Sequence, residues 1–337
     1  MKVLVTGGAG FIGSNFIIWL IKNRPSWEIV NLDKLTYAGN LENLRSIENS
    51  PNYRFVHGDI RNQKLVSKET KRIDLIVHFA AESHVDRSVL QPEVFIETNV
   101  VGTQVLLQAA LQNGVKHFHH VSTDEVFGAL DLDGKEKFNE KTPYNPHSPY
   151  SAAKAGSDHL VRAYGDTYGL VYTITNCSNN YGPYQFPEKI IPLFIANAQD
   201  DKPLPIYGDG KSVRDYLYVE DHCRAIVDVI EKGKKNETYC VGGNSEINGI
   251  EMAETILKTL QKPMSLITFV KDRLGHDRRY AIDFSKINRE LGWEPKVNFQ
   301  EGIKKTIEWY QKNNKWLNDV RTGEYKEYYK KQYNEEA

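Results

Sequence analysis

Gly7-Gly8-Ala9-Gly10-Phe11-Ile12-Gly13 lies between a short β-rich run, residues 2–6, and an apolar segment of helical pattern, residues 12–21. The chain therefore opens as strand, glycine turn, helix. Glycines at 7, 10 and 13 let the backbone turn tightly and approach a ligand closely, and the unpaired N–H groups that open a helix favour an anion there. The spacing is GxxGxxG, and such a turn by itself is as compatible with a plain tight bend as with a phosphate cradle. Residues 28–32 narrow the choice, because they read as a second strand ending on Asp33, 20 residues after Gly13. A carboxylate at that place can bind both hydroxyls of an adenosine ribose and would repel a 2′-phosphate, which favours NAD over NADP. Without the glycines, Asp33 would read as a cap or turn residue.

Further short strands are expected at residues 54–56, 75–79, 117–121 and 171–177, each separated from the next by helical or loop segments. Strands alternating with helices predict an α/β fold, a Rossmann-type doubly wound parallel sheet. Ligands of such sheets sit beyond the carboxyl ends of the strands. Those ends carry Asp33, His57-Gly58-Asp59-Ile60, Ala80-Ala81-Glu82-Ser83-His84-Val85-Asp86 and Ser122-Thr123-Asp124-Glu125, four polar clusters along one edge. Residues 92–112 form a long helix opened by proline, in which Thr98 and Asn99 read as ordinary polar positions. After Cys177 the chain changes character: residues 178–189 are polar and rich in Asn, Tyr and Pro, the make-up of a binding loop. Residues 1–178 are expected to form the NAD-binding domain, with elements near 215–243 returning to it. Residues 179–214 and 244–337 then form a smaller C-terminal α/β substrate-binding domain, closed by a helix carrying Ile303, Ile307 and Tyr310.

A length of 337 residues allows one large or two modest domains. Lys and Arg, 43 in all, balance 44 Asp and Glu, and a net charge of -1 provides no global field for nucleic acid or an anionic membrane. The longest greasy run near the start, residues 16–21, is far shorter than the roughly 20 residues of a spanning helix. No signal-peptide pattern precedes the glycines, so a cytoplasmic protein without membrane or nucleic-acid partners is expected. Cys177, Cys223 and Cys240 are widely spaced without a CxxC pattern and read as buried thiols in a reducing compartment. His117, His119 and His120 have no carboxylate or Cys partner at a metal-site spacing, so they read as strand histidines and no metal is expected.

Two groups carry chemistry. Ser148-Pro149 is a strong helix start, which puts Tyr150 and Lys154 on one face, one turn apart. Helical side chains lean toward the N-terminus, so Lys154 is expected over Tyr150, where its charge would favour phenolate and general-base work. YxxxK alone is a frequent accident; behind a dinucleotide pattern it is not. Ser122-Thr123-Asp124-Glu125 adds a hydroxyl and two acids at a strand end, a combination that suits an oxidation coupled to an elimination. Lys189, Arg214 and the run 272–280 concentrate cations in a chain without net excess. Bidentate phosphate recognition and ordinary pairing with Asp215, Asp272 and Asp277 explain that charge equally well.

Residues 7–13, 80–86, Thr123-Asp124-Glu125, Tyr150 with Lys154, and Asn179-Asn180-Tyr181-Gly182-Pro183 together resemble the extended short-chain dehydrogenase/reductases. Thr-Asp-Glu, Lys189, Arg214 and the 272–276 segment narrow the resemblance to those members that dehydrate a nucleotide-linked glucose, nearly end to end. The resemblance implies NAD contacts from Gly7, Gly10, Phe11, Ile12, Gly13, Asp33, Lys34, Leu35, Thr36, Asp59, Ile60, Phe79, Ala80, Ala81, Glu82, Ser83, Thr98, Tyr150, Lys154 and Asn180. It implies that Ser83, Thr123, Asn179, Lys189, Pro205, Tyr207, Arg214, Asn248, Asp272, Arg273 and His276 hold a nucleotide sugar, dTDP-glucose. The implied reaction is loss of water to give dTDP-4-keto-6-deoxyglucose: Tyr150 with Lys154 and Thr123 serve oxidation at C4, Glu125 takes the C5 proton and Asp124 protonates the leaving C6 hydroxyl. Phe127, where tyrosine is common, and Leu274, in place of a common proline, depart from the pattern. Other nucleotide-sugar dehydratases acting on GDP-mannose or a UDP-sugar, a 4-epimerase needing no elimination pair, and an NAD-sensing regulator needing none of the reacting groups are the alternatives. A homodimer built through helices 92–112 and 148–168 is also implied.

Overall fold

The computed structural model describes residues 1–272 and 275–322. Arg273 and Leu274, for which a substrate contact and a departure are expected, lie outside the described residues. Strand β1 (Lys2–Thr6) has Val3, Leu4 and Val5 wholly buried, because a parallel strand covered on both faces is apolar throughout. The same holds through most of β2 (Glu28–Asp33) and β4 (Leu75–His78), while β3 (Tyr53–His57), at the sheet edge, is half-buried. With β5 (His117–Thr123) and β6 (Tyr172–Cys177) they belong to one parallel sheet. Short strands β7 (Asn179–Tyr181), β8 (Leu204–Tyr207) and β9 (Val213–Tyr218) follow outside that sheet. The chain then returns: the helix Val219–Lys232 packs on Phe11–Asn23, and β10 (Glu237–Val241) pairs in parallel with β6. The order is β10-β6-β5-β4-β1-β2-β3, the expected doubly wound sheet. Its order reverses between β1 and β4, which opens a crevice at their carboxyl ends.

Alternate residues feed two cores. Leu4 joins Leu106, Phe118 and Val161 on one face, and Val3 and Val5 join Phe16 and Ile226 on the other. A third core, around Phe194, Ile206, Met252, Ile303, Ile307 and Tyr310, packs the later helices on two small sheets. One of these has the order β11-β9-β7, with β11 at Glu246–Asn248, and the other pairs β8 with β12 (Ile267–Val270).

Strand β5 runs two residues further than its apolar pattern predicts, so that Ser122 and Thr123 pair in register with Asn176 and Cys177. The hydroxyl of the Thr-Asp-Glu cluster therefore stands on a rigid strand. The helix 92–112 is continuous but widens to a π-helix over Ile96–Gly102. Within that turn Asn99 is not an ordinary polar residue: its amide donates to Glu82 O (3.0 Å) and accepts from Glu82 N (2.9 Å), pinning the chain that leaves β4. By length and composition Pro92–Gln112 is apolar enough to cross a membrane, but half of it is buried inside this protein.

Ser148 opens the helix Pro149–Tyr168 with a reciprocal capping box: its hydroxyl accepts from Ser151 N (3.1 Å), and Ser151 Oγ accepts from Ser148 N (3.0 Å). Gly169, at φ +73°, ends it. Ser148→Ala is expected to cost about 1 kcal/mol of unfolding free energy, measured by urea denaturation.

Candidate active site

Gly7 follows β1 at φ +71°, and a Cβ on it would stand 2.6 Å from Ala80 N; one on Gly13 would stand 2.3 Å from Gly7 O. The chains leaving β1 and β4 therefore touch at the reversal point, and only glycine allows the helix 11–23 to begin there with its N–H groups facing the crevice. Asp33 closes the turn from the side: Oδ2 accepts from Ala9 N (2.9 Å) and Oδ1 from Leu35 N (2.8 Å). Burial pushes its pKa up, and these two N–H groups oppose the rise. Beside it Asp59 takes ion pairs from both Lys34 (3.0 Å) and Arg61 (2.8 Å). Burial works against that carboxylate, yet bonds from Arg61 and Lys34 hold it at about 2. The two cations nearest the ribose position are thus already neutralised.

Across the crevice Thr123 ends β5 and caps a 3₁₀ turn, Asp124–Phe127, by accepting from Glu125 N (3.2 Å). Its hydroxyl donates to Asp124 Oδ1 (3.3 Å) and is also hydrogen-bonded to Tyr150. Asp124 is buried, and its Oδ2 has no partner. Burial raises its pKa well above the carboxylate range, the negative charges of Glu125 and Asp215 add to the rise, and Arg214 opposes it.

Tyr150 lies in the first turn of its helix, edge-on to Phe95. Lys154 lines the same cleft, and its Nζ donates to Val121 O (2.8 Å) on β5 and is 3.4 Å from His120 Nε2. The phenol pKa is not lowered by the chain's own groups. Burial raises it well above its ordinary value, the charge of Glu125 and the nearby Cys177 raise it further, and only the Thr123 bond opposes them. A buried strand carbonyl claims the ammonium, a constraint that YxxxK spacing does not contain.

One cleft gathers Gly7, Gly10, Phe11, Ile12, Gly13, Asp33, Lys34, Thr36, Asp59, Ile60, the run Phe79 to Ser83, Thr98, Thr123, Asp124, Glu125, Tyr150, Lys154, Asn179, Asn180 and Lys189. Leu35 is not on its wall and acts through its N–H on Asp33. Pro205, Tyr207, Arg214, Asn248, Asp272 and His276 lie off this cleft. Arg214 forms no ion pair with Asp215, Asp272 or Asp277 among the described residues; its guanidinium donates to Val213 O and Asp277 O, lies 4.1 Å over the Tyr280 ring, and exerts its charge on Asp124. Arg278 and Arg279 pair with Asp209 and Glu246, and His276 with Asp272. The Asn248 side chain caps the helix Gly249–Leu260 in a capping box with Glu251. Phe127 is buried against Phe138 and Tyr144 and does not reach the cleft. His117 and His119 bond to Thr173, and among the described residues no group of His, Cys, Asp and Glu could hold a metal.

The cleft also has Tyr37, Gly39, Arg61, Cys177, Ser178, Gln185, Phe186 and Glu188 on its walls, none of them singled out in the sequence. Those after residue 177 belong to the Asn/Tyr/Pro-rich loop, whose composition was the available signal. The Cys177 thiol, pushed up to about 12 by burial, is no nucleophile. Asp124 Oδ2, Ser178 Oγ, Asn179 Oδ1 and Gln185 Oε1 are buried on these walls without a protein partner. With the glycine cradle and the Asp33 carboxylate, these orphaned atoms fit a dinucleotide and a polyhydroxy substrate.

A glycine cradle at the reversal point of a parallel sheet, with a Tyr/Lys helix beside it, is the architecture of the extended short-chain dehydrogenase/reductases. The family model described as GDP-mannose 4,6 dehydratase matches residues 4–306. The chain is 51% identical over 358 aligned residues to the dTDP-glucose 4,6-dehydratase of Salmonella typhimurium, covering 99% of each protein. It is similar to the crystal structure of DesIV, a dTDP-glucose 4,6-dehydratase from Streptomyces venezuelae with NAD and dTDP bound: TM-score 0.93, 50% identity, 95% of this chain and 100% of that one. The UDP-glucose 4-epimerase of Thermotoga maritima is similar at TM-score 0.86 and 31% identity, over 93% and 100%. The chain belongs to the dTDP-glucose 4,6-dehydratase family of extended short-chain dehydrogenase/reductases.

Gly13→Ala places a methyl against Gly7 O. NAD carried through purification, measured by absorbance after release, is expected to fall at least about tenfold while the circular dichroism spectrum is kept; each tenfold corresponds to about 1.4 kcal/mol.

Proposed function

We infer that the chain is a lyase that removes water from dTDP-glucose, giving dTDP-4-keto-6-deoxyglucose, with NAD as its resident cofactor. The observation that carries this reading is the buried Asp124, its pKa raised by burial and by the charge of the adjacent Glu125, hydrogen-bonded to Thr123 in the cleft that also holds Tyr150. A 4-epimerase shares the scaffold but has no elimination step, and a sensor needs no such acid. The residues at 7–13 and Asp33 would hold the pyrophosphate and the ribose. When bound, NAD accepts a hydride from the sugar C4 and later returns it to C6.

Tyr150 must enter the cycle as the phenolate, against the burial that raises its pKa, to take the proton of the 4-hydroxyl, whose oxygen Thr123 orients. The 4-ketone acidifies the C5 proton, Glu125 removes it, and Asp124 protonates the departing C6 hydroxyl. Glu125 then returns a proton to C5. Over one cycle Tyr150 gains a proton and Asp124 loses one, so the site resets when a proton passes from the phenol to the carboxylate. The Thr123 hydroxyl, bonded to both, is the path.

Ser83, Asn179 and Lys189 meet the sugar diphosphate from the cleft; Lys189 Nζ already stands on Ser83 O (3.0 Å). Pro205, Tyr207, Arg214, Asn248, Asp272, Arg273 and His276, all in the later region, take the nucleotide. NAD binding then belongs to residues 1–178 with the returning helix and strand, and nucleotide-sugar binding to residues 179–214 and 244–337. Three buried, unpaired cysteines suit a reducing, cytoplasmic compartment. Val89 and Leu90, in the helix Val85–Leu90, and Ile96 and Val101, within Pro92–Gln112, are exposed, an apolar surface that a second copy of the chain would cover in a homodimer.

Incubation with dTDP-glucose, UDP-glucose and GDP-mannose in turn should show loss of one water, by mass, from dTDP-glucose; no loss from any of them sinks the dehydratase reading. Glu125→Gln should keep NAD and lose dehydration by roughly 10²- to 10⁴-fold, and unchanged turnover would remove Glu125 from the base role. Val101→Glu should convert a dimer to a monomer by light scattering.

A further inference from the structure

Asp158 is wholly buried, lies in the same helix as Tyr150 and Lys154, and does not line the cleft. Positions 150, 154 and 158 are one turn apart, so the three side chains share a helix face. Its Oδ2 accepts from Tyr144 OH (2.7 Å), Ser122 Oγ (2.9 Å) and Asn176 Nδ2 (3.2 Å). Oδ1 faces His120 Nε2 at 3.1 Å and has no hydrogen bond of its own. The same Nε2 is 3.4 Å from Lys154 Nζ. His120 therefore stands between a buried ammonium and a buried carboxylate, and its one Nε2 can accept from Lys154 or donate to Asp158, but not both.

We propose that Asp158 is the buried counter-ion of Lys154, a positioning residue that keeps the ammonium charged behind Tyr150. The proposal rests on the roles assigned above to Tyr150 and Lys154. Val121 O and the imidazole orient the ammonium but carry no charge to balance it. An isolated buried cation gives up its proton instead of staying ionised.

The groups that face the pair are few. From β4 and β5, His78 and His120 are neutral because burial lowers both, His120 to about 4. From β6, Cys177 is held neutral. Tyr150 and Arg162 lie on the same helix, and Arg162 is occupied with Tyr144 OH (2.8 Å) and Thr238 Oγ1 (3.2 Å). Tyr144, from the segment before the helix, is a neutral phenol whose pKa burial raises. Burial lowers the Lys154 pKa, and the opposing influences are Asp158 and Cys177, of which only Asp158 is ionised. Burial acts on Asp158 in the other direction, yet His120, protonated in that acid range, together with the Lys154 charge and the bond from Tyr144, holds it at about 2.

The test uses the NAD-loaded enzyme. Asp158→Asn should keep kcat at low pH and move the alkaline limb of kcat against pH down by about one unit, the lower end of the effect of an opposite charge at this range; above the limb, turnover then falls about tenfold. Tyr144→Phe removes a donor from Asp158 but leaves its charge, and should leave the limb in place. A uniform loss at every pH in Asp158→Asn, or an equal displacement in Tyr144→Phe, makes Asp158 a packing residue and overturns the proposal.

A reciprocal measurement needs no sugar and decides the matter if Asp158→Asn does not fold. A depressed carboxylate contributes stability that is complete above its unfolded value, about 3.9, and is lost as pH falls through its folded value. Lys154→Met removes the partner charge, so its acid-unfolding midpoint should rise by roughly half a pH unit; an unmoved midpoint overturns the proposal. Should no sugar lose water while this midpoint still rises, the counter-ion stands and the dehydratase reading alone fails.

Discussion

The contact between the chains leaving β1 and β4 is the constraint on which the molecule depends. A Cβ on Gly7 would be 2.6 Å from Ala80 N, so the two loops meet backbone to backbone where the strand order reverses. That approach brings the helix N-terminus at residues 11–13, the acid at the end of β2 and the loop pinned by Asn99 around one crevice. Asp33 contributes to both fold and site, since the carboxylate poised for a ribose also ties Ala9 N and Leu35 N in place.

Desolvation organises the chemistry opposite that cradle. Asp124, Tyr150, Lys154 and Asp158 are all buried, and burial and neighbours displace the pKa of each, upward for Asp124 and Tyr150 and downward for Lys154 and Asp158. The helix Pro149–Tyr168 supplies three of the four at one-turn spacing, and β5 supplies the fourth through the turn that Thr123 caps. The similarity to a 4-epimerase at TM-score 0.86 shows that the scaffold serves more than one reaction. In the proposed reaction Asp124 and Glu125 make the difference, because an elimination needs an acid and a base at the same pH.

Much of the site was legible before the fold was known, for local reasons. Glycine spacing, the capped start at Ser148 and the YxxxK period are contained in a few consecutive residues, and their geometry follows from backbone sterics and helix pitch. Asn99 was not legible, since its partner Glu82 lies on another element and its turn widens to a π-helix. The anchor of Lys154 was not legible either, because Val121 O belongs to a strand that the helix covers. Arg214 illustrates the same limit: pairing with an aspartate was one of its two readings, whereas packing assigned it two carbonyls and a tyrosine ring.

By itself the sequence determined the strand–turn–helix opening, the parallel alternation and a set of candidate reacting groups, because these rest on periods of two and 3.6 residues and on side-chain chemistry that does not change on folding. Only the tertiary structure decided in which direction the pKa of each of those groups moves. Protonation depends on burial and on partners distant in the chain, as when Asp158 in a helix, Ser122 and His120 on β5 and Asn176 on β6 converge behind Lys154.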